Sequence, residues 1–415
     1  MELKRVVVTG FGAITPIGNN ANEYWDNLTK GVSGAAPITL FDSTNFKTKF
    51  ACEVKNFNPL DHFEKKEAKK MDRNTQLGMV AAREAVAHSR IIEDDVDKNR
   101  VGVIWGSGIG GLETFETEVL GWAKSEGIPR FNPFFIPKMI ADITPGNISI
   151  EYGFHGPNYT TVSACASSAN ALIDAKMLLQ LGKADVIVCG GSEAAVTSSG
   201  MGGFNALMAL STRNDDYKTA SRPFDKDRDG FVLGEGAGCI ILEEYEHAKK
   251  RGATIYAELS GGGLSADAYH MTAPHPEGLG AYLVMKNCLE DAGVTPDEVD
   301  HINMHGTSTP LGDIAESNAI ARLLGEHAYD IQINSTKSMT GHLLGAAGVI
   351  EAIAAIGTII HGIVPPTINH FTDDENIDSR LNFTFNDAVK KDVKIAMSNT
   401  FGFGGHNACV LFKKL

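Results

Sequence analysis

One cysteine of the sequence stands where a thiol could act as a nucleophile. Cys165 follows the β-branched run 160–162 and precedes residues 171–179, whose apolar side chains recur at helical spacing. This pattern predicts that Cys165 lies on a sharp turn between a buried strand and a helix N-terminus. The unpaired N–H groups at that helix end would lower the pKa of the thiol and could stabilise an oxyanion. A buried structural cysteine is the competing interpretation, and the turn geometry alone does not decide between the two.

Two histidines in the second half of the chain stand at comparable turns. His305 is predicted at the end of a strand on a glycine-containing turn, and His342 in the first turn of a helix. A helix N-terminus disfavours imidazolium, so we expect His342 to stay neutral and to donate a hydrogen bond. Lys337 and Glu351 could form a buried pair nearby, but an exposed pair on a helix flank fits the sequence equally well.

An internal repeat supplies the elements that would position these residues. Residues 234–242 align with 404–412, each a glycine cluster that runs into an apolar strand. Looser correspondences link 6–12 with 255–262, 101–111 with 302–311, and 160–174 with 333–347. The last of these places His342 in the segment that corresponds to the Cys165 turn. Two similar halves, residues 1–250 and 251–415, with alternating strands and helices predict an α/β fold in which helices cover the sheets.

Composition limits the classes of function. A chain of 415 residues is too long to fold around one simple core. Its hydrophobic content of 43% and charged content of 21% are typical of a soluble globular protein. A net charge of −14 argues against nucleic acid as a partner. The chain has no uninterrupted run of 18 apolar residues and begins with a strand rather than a signal peptide, so we expect no membrane span. The six cysteines show neither CxxC pairs nor metal-ligand spacing, which favours reduced cytoplasmic thiols and no metal site.

Two motifs resemble ligand sites but fail at a required position. A GxGxxG pattern in 106–111 is followed by residues 112–130, which look helical and then turn-like, and not by a second strand ending in an acid. We therefore expect close backbone approach there and no dinucleotide site. Residues 225–230 resemble the start of an EF-hand loop, but the twelfth position is Gly236 and not glutamate, which indicates a charged turn. Residues 131–150 are predicted to form an irregular cap.

The motifs together resemble one enzyme family over essentially the whole chain, the β-ketoacyl-acyl-carrier-protein synthases of the elongating type II kind. The segments that carry this resemblance are Thr161–Ser168, Gly230–Gly238, His305–Pro310, Lys337–His342 and Asn399–Gly405. The resemblance implies the thiolase-like fold, two similar α/β halves in a five-layer αβαβα arrangement, and a cytoplasmic homodimer. It implies acyl carrier protein as the partner and no cofactor, since the carrier's own phosphopantetheine holds the substrates.

The resemblance also implies roles for individual residues. Cys165 resembles the nucleophile that takes the acyl chain, and its backbone amide with that of Phe403 resembles the oxyanion hole. His305 and His342 resemble the pair that promotes loss of CO2 from the malonyl thioester. Lys337 and Glu351 match the supporting polar pair, and Phe403 resembles the gate to the acyl pocket. The implied substrate-binding positions are Thr272, Thr307 and Thr309 on the pantetheine arm, Ile109 where the acyl pocket is bounded, and Phe401.

A basic run on an acidic protein is the implied carrier-docking surface. A helical stretch over 76–89 follows Lys65, Lys66, Lys69 and Lys70, and the resemblance adds Arg130 to this docking patch. The spacings 65/69 and 66/70 place the lysines on one face if the segment is helical. An ordinary solvated helix face is the competing interpretation.

Three other functions share some of these sequence features with the β-ketoacyl synthases. A thiolase would share the fold and the cysteine but would act on coenzyme A thioesters, and it gives no reason for both histidine turns. A non-catalytic chain-length factor would lack Cys165. A cysteine hydrolase would need a His–Asn or His–Asp relay, which the pattern does not support.

Overall fold

The computed structural model describes residues 3–415, and strands and helices alternate along them. The strands, numbered in chain order, are β1 (Val6–Ile14), β2 (Ala36–Pro37), β3 (Phe50–Ala51), β4 (Val101–Gly106), β5 (Asn158–Thr161), β6 (Val186–Glu193), β7 (Gly236–Glu244), β8 (Ala257–Ala266), β9 (His301–Asn303), β10 (Gln332–Asn334), β11 (Ile363–Val364), β12 (Val389–Lys390), β13 (Ile395–Gly402) and β14 (His406–Lys413). The helices are α1 (Ala21–Thr29), α2 (Lys65–Ala68), α3 (Arg73–Ser89), α4 (Leu112–Lys124), α5 (Phe135–Met139), α6 (Ile143–Tyr152), α7 (Ser167–Gln180), α8 (Ser198–Ala206), α9 (Tyr245–Arg251), α10 (Leu279–Ala292), α11 (Pro310–Leu324), α12 (Lys337–Thr340) and α13 (Ala347–His361).

The strand order confirms the internal repeat. Within residues 3–415 the large sheet runs β10-β9-β13-β14-β8-β1-β7-β6-β4-β5, so equivalent strands lie at equal distances from its centre. Each half has three parallel strands followed by two antiparallel ones. The halves meet where β1 and β8 pair over only two positions, Val7 with Glu258 and Val8 with Ala257. The predicted boundary at residue 250 falls near the end of α9 and stays a prediction.

The helices and the two halves of the sheet stack in five alternating layers. Helix α3 covers the outer face of β1, β7 and β6, and α10 covers that of β8 and β14. Between the two halves lie α7 and α13, which contact each other and strands of both. The largest apolar cluster surrounds this central pair, and smaller clusters lie under the outer helices. The α/β thiolase-like fold is therefore confirmed, with the central helices arising from the two corresponding turns.

The central helix α13 is apolar on all sides because it is enclosed by protein. The segment Leu344–His361 has a mean hydropathy of 1.7 and is long and apolar enough to cross a membrane by those criteria, yet 89% of it is buried inside the fold. Glu351 and Thr358 interrupt its apolar residues, so the segment is not an uninterrupted apolar run. Gly362 ends the helix in the left-handed conformation at φ 61°, where glycine is favoured.

Two local predictions are wrong. The β-branched residues before Cys165 do not end a buried strand: β5 is the edge of the sheet, partly exposed, and Val162 is 63% exposed. The supposed irregular cap over 131–150 contains helices α5 and α6, which proline and glycine signals obscured. Helix α4, in contrast, confirms the predicted helix after residue 112.

Candidate active site

A strained turn presents Cys165 between β5 and α7. Ala164 adopts the left-handed conformation at φ 51°, which costs free energy for a residue with a side chain. Ser167 stabilises the turn, because its hydroxyl donates to the Ala164 carbonyl at 2.6 Å and accepts from the Ser163 amide at 3.0 Å. The Cys165 side chain is thereby directed into a cavity of about 630 Å³.

Burial dominates the electrostatics of the thiol. It raises the pKa of Cys165 to about 12, while the Lys337 ammonium and the backbone N–H groups of Phe403 and Cys165 act in the opposite direction. The predicted lowering of this pKa by the helix N-terminus is therefore wrong, since desolvation outweighs it. The groups that favour the thiolate are the ones that would stabilise any negative charge formed beside Cys165.

His342 contacts the thiol directly. Its Nε2 lies 3.0 Å from Cys165 Sγ, and the Leu344 amide donates to its Nδ1 at 3.3 Å. Because Nδ1 accepts, the neutral ring carries its proton on Nε2 and donates it toward the sulfur. His342 does not lie in the first turn of a helix, as predicted, but between α12 and α13. Its backbone there bonds to Val232 and Gly234.

His305 occupies the turn after β9, as predicted. The Glu316 carboxylate accepts from the amides of His305 and Gly306, both at 2.9 Å, which fixes the backbone of this turn. The imidazole rings of His305 and His342 are 5.3 Å apart and nearly perpendicular. Among the described residues, His305 Nδ1 is buried without a hydrogen-bond partner.

Both imidazoles are neutral. Burial lowers the pKa of His305 and of His342 well below the ordinary value, and the nearby Lys337 ammonium lowers both further. The expectation that His342 is neutral is confirmed, but the cause is burial and Lys337 rather than a helix terminus. Two neutral imidazoles beside a thiol can donate hydrogen bonds without adding positive charge to the cavity.

Lys337 and Glu351 form a buried ion pair between α12 and α13. Their side chains are 1% and 0% exposed, and the ammonium donates to Glu351 Oε1. Burial raises the pKa of Glu351 to about 7, against the lowering effect of Lys337. The buried arrangement is confirmed over the exposed alternative. It holds one positive charge near the thiol and both histidines.

The cavity collects the predicted substrate-binding residues. It is lined by Ile109, Thr272, Thr307, Thr309 and Phe401, together with the predicted gate Phe403, Cys165 and both histidines. The hydroxyls of Thr307 and Thr309 lie 3.0 Å apart at the lining of the cavity. Phe401 packs on His305, with their ring centres 5.5 Å apart.

Phe403 belongs to a glycine-rich turn after β13. Gly404 and Gly405 have positive φ values of 90° and 75°, which favour glycine. The Gly404 amide donates to the Met271 carbonyl at 2.7 Å, and Gly405 accepts from the Asp267 amide at 3.0 Å. These two bonds join the Phe403 turn to the loop that carries Thr272.

The predicted basic run lies on the surface, outside the cavity. Lys65, Lys66, Lys69, Lys70 and Arg130 are all exposed. Helix α2 covers only the first two lysines, and the other two occupy the turn that follows it. Their common face therefore stays a prediction. The Lys70 ammonium lies 5.4 Å from the ring centre of Phe134, which brings the run near the segment that holds Arg130.

The two rejected motifs have structural explanations. A Cβ at Gly106 would lie 2.3 Å from the Ser168 amide, so the glycine allows β4 to approach α7, as expected. The turn at 225–230 is held by Asp225, which accepts from the amides of Phe371 and Thr372. Within residues 3–415, no group of His, Cys, Asp and Glu side chains has an arrangement able to hold a metal ion.

Sequence reasoning missed two buried acids that hold the site's backbone. Glu316 fixes the His305 turn, and Glu193 accepts from amides of 108–110 and of Gly345. An acid at the end of the apolar strand β6 was the available signal for Glu193. For Glu316 the only available signal was its position on a predicted helix after His305.

Comparison with known proteins places the whole chain in one family. "Beta-ketoacyl synthase, N-terminal domain" matches residues 3–248, and "Beta-ketoacyl synthase, C-terminal domain" matches 256–371. A 3-oxoacyl-[acyl-carrier-protein] synthase 2 of Staphylococcus aureus (strain N315) is 49% identical over 411 residues, which cover 99% of this chain and 98% of that protein. The Synechocystis protein of the same name is 48% identical over 414 residues, covering 100% and 99%.

Solved structures agree over the full length. A beta-ketoacyl synthase from Burkholderia phymatum superposes with a TM-score of 0.92 at 34% identity, covering 99% of this chain and 100% of that one. A ketosynthase solved in complex with its type II polyketide acyl-carrier protein also gives 0.92, at 33% identity and 100% coverage of both chains. The chain belongs to the β-ketoacyl synthase family.

Proposed function

We propose that this protein lengthens acyl chains in fatty acid biosynthesis by a decarboxylating Claisen condensation on acyl carrier protein. The observation that carries the proposal is the convergence of three groups in one cavity: the Cys165 thiol, the His342 Nε2–H 3.0 Å from it, and the Phe403 amide. The full-length relatives named 3-oxoacyl-[acyl-carrier-protein] synthase 2 support this choice of substrate.

The first step moves the acyl chain to Cys165. The sulfur attacks the acyl thioester carbonyl, and the bond from that carbonyl to the carrier's sulfur breaks. The proton of the Cys165 thiol leaves with the carrier, which departs as a free thiol. During the attack the carbonyl oxygen becomes negative, and the N–H groups of Cys165 and Phe403 stabilise it.

The second step generates the carbon nucleophile. The carboxylate–carbon bond of the malonyl thioester breaks, CO2 leaves, and the electron pair passes to the α-carbon and the thioester oxygen. His305 and His342 donate hydrogen bonds to that oxygen, because both rings are neutral and lie close together. Burial and, to a smaller extent, Lys337 keep the rings neutral. Lys337 also places a positive charge beside them, and Glu351 holds it there.

The third step forms the new bond and frees the enzyme. The enolate carbon attacks the acyl carbonyl on Cys165, and the carbon–sulfur bond to Cys165 breaks. The product is a β-ketoacyl carrier two carbons longer than the acyl chain. Cys165 leaves as a thiolate and takes up a proton from the solvent, which replaces the one lost with the first carrier. These steps use the polarity of thioesters and the residues of the cavity, so we propose that no cofactor takes part.

The carrier is proposed to dock on the basic run. The protein carries a net charge of −14, so an acidic carrier would be repelled overall and needs a local positive surface. The Lys70 ammonium lies 5.4 Å from the ring centre of Phe134, four residues after Arg130, which supports including Arg130 in this surface. Phe403 would then gate the cavity, and Thr272, Thr307 and Thr309 would contact the pantetheine arm.

A cytoplasmic homodimer is proposed as the working form. In the part of the chain that the structure describes, no strand pairs with the outer edge of β5. Large apolar side chains are exposed near it, including Ile150 at 81% and Val162 at 63%. A second copy would cover both the edge and this surface. Val162→Asp should shift the sedimentation equilibrium toward monomer, and an unchanged mass would contradict this contact.

Reconstitution tests the proposed reaction. The protein is incubated with acyl carrier and malonyl carrier, and CO2, the β-ketoacyl product and any free fatty acid are measured. Equal amounts of CO2 and β-ketoacyl carrier are expected. Free fatty acid without condensation would indicate a hydrolase, and condensation of coenzyme A thioesters without need of the carrier would indicate a thiolase.

A further inference from the structure

Glu193 is a fully buried carboxylate at the end of β6 that none of the proposed steps uses. Its Oε1 accepts from the amides of Ile109 and Gly110, at 3.2 and 3.4 Å. Its Oε2 accepts from those of Gly108 and Gly345, at 2.8 and 3.0 Å. One side chain therefore holds two loops that are far apart in the sequence.

Both loops belong to the cavity, but to different parts of it. Gly108 and Ile109 form its wall in the first half of the chain. Gly345 follows Leu344, whose amide fixes the tautomer of His342. The loops touch, since a Cβ at Gly345 would lie 2.3 Å from the Gly108 nitrogen. A shift at either loop is therefore transmitted to the other.

The four amides require a carboxylate. Each Glu193 oxygen accepts two N–H groups, which an ionised carboxyl can do at both oxygens. Burial raises the pKa of Glu193 to about 7, while the amides of Gly108, Gly345, Ile109 and Gly110 lower it. A glutamine has the same shape but one amide nitrogen. In either orientation, its NH2 would face two N–H donors and release one pair of them.

We propose that Glu193 is a positioning residue that sets, with one carboxylate, both the cavity wall at Ile109 and the placement of His342 opposite Cys165. This role rests on the proposed function, since it assigns the wall to the acyl chain and His342 to the malonyl thioester. Selection of acyl chain length and decarboxylation are then coupled through a residue that touches neither substrate.

The test compares Glu193→Gln with Glu84→Gln. Glu84 serves as the control because its partly buried carboxylate also joins two segments and does not line the cavity. It accepts from the amide of Ala13 in β1 at 2.8 Å and from that of Ala21 at the start of α1 at 2.9 Å. Acylation of Cys165 by short, medium and long saturated acyl carriers is followed by intact-protein mass spectrometry, and decarboxylation of malonyl carrier by CO2 release.

Glu193→Gln is expected to change the ratio of long-chain to short-chain acylation about tenfold and to slow decarboxylation about tenfold. The reason is that two buried amide N–H groups lose their hydrogen-bond acceptor. Glu84→Gln should leave both within about twofold of the unchanged protein. A folded Glu193→Gln protein with an unchanged chain-length ratio overturns the proposal, because a merely structural residue would lower all rates alike.

Amide hydrogen exchange of the unchanged protein tests the coupling without any substitution. The amides of Ile109, Gly108 and Gly345 should exchange slowly and at closely similar rates, because they open together. Unrelated rates in the two loops overturn the coupling even if Glu193→Gln does not fold. Absence of condensation in the unchanged protein with every acyl carrier would instead reject the proposed function, while the exchange result would stand.

Discussion

The corresponding turns of the two halves carry different chemistry on the same scaffold. In the first half β5 leads within a few residues into α7 and presents Cys165. In the second half β10 leads toward α13, but the short helix α12 is inserted and His342 follows it. The insertion moves the functional residue away from the helix end, so His342 is placed by Val232, Gly234 and Leu344 instead.

The outer edges of the two halves differ as well. Strand β10 is covered by the chain itself, since Ile333 exchanges backbone hydrogen bonds with Asn382 and Thr384 at 3.1 and 2.8 Å. Strand β5 has no such cover within residues 3–415 and carries exposed apolar neighbours. One repeat unit is therefore specialised by what is added around it: a buried thiol and an open edge in one half, two neutral imidazoles and a closed edge in the other.

Removing the nucleophile should abolish the function of the first-half turn alone. Cys165→Ala is expected to lower condensation more than about a thousandfold, because the acyl chain loses its attachment point. Mass spectrometry of the protein after incubation with acyl carrier measures this directly. An acyl adduct on another cysteine, with turnover retained, would refute the assignment; the other five cysteines are buried and serve as internal controls.

Removing either donor should abolish the function of the second half and spare the first. His305→Ala and His342→Ala are each expected to slow malonyl decarboxylation about a hundredfold to a thousandfold, since each removes a donor to the developing enolate. Some acylation of Cys165 should remain. Release of CO2 at the parent rate by either variant would show that the two-donor assignment is wrong.

The pH dependence should separate the two halves without any substitution. Burial and Lys337 hold the pKa of both histidines well below ordinary values, so the rings stay neutral as the pH falls through about 6.5. Titration of the rings should therefore add no step to the decarboxylation rate between pH 6 and pH 8, and a fall below pH 7 would report Glu193 and Glu351, whose pKa burial raises to about 7. Because the pKa of Cys165 is raised to about 12, acylation should instead rise with pH. Separate assays of the two half-reactions and an NMR titration of the imidazoles check this, and an imidazole of either histidine that titrates near pH 6.5 would contradict neutral rings.

The repeat explains why so much of the architecture could be predicted. Glycine clusters, apolar strands and helical spacing recur in both halves, and each of the four proposed segment pairs corresponds to strands at equivalent positions of the sheet. The positions of Cys165 and His305 followed from the same local signals. These features are set by neighbours in sequence, which a single sequence contains.

What failed depends on neighbours that are distant in sequence. The edge position of β5 is decided by which strand it pairs with, not by its β-branched residues. The raised pKa of Cys165 results from burial by the whole cavity. Glu193 and Glu316 were missed because their partners are backbone amides of remote loops, which leave no side-chain pattern.

Phe403 belongs to the second half but should control the chemistry of the first. Its backbone N–H group lowers the pKa of the Cys165 thiol, and Phe403 lines the cavity. Phe403→Ala is expected to slow acylation about tenfold while changing the free energy of unfolding by less than about 1 kcal/mol, because the side chain is only partly buried. Acylation kinetics and thermal unfolding together check this. A large loss of stability with unchanged acylation would show an ordinary packing residue.

The smallest effect is expected at the basic run, which lies outside both turns. Lys66 and Lys70 are exposed, and charges at the rim of an interface mainly raise the association rate and weaken with salt. Lys66→Glu with Lys70→Glu should raise KM for acyl carrier several-fold, on the order of 1–2 kcal/mol. A short acyl-pantetheine mimic lacks the acidic carrier, so its turnover should be nearly unchanged. The control is Lys4→Glu with Lys183→Glu, which makes the same change in net charge at exposed lysines elsewhere on the surface. If carrier and mimic suffer equally, the run is structural and the carrier docks elsewhere.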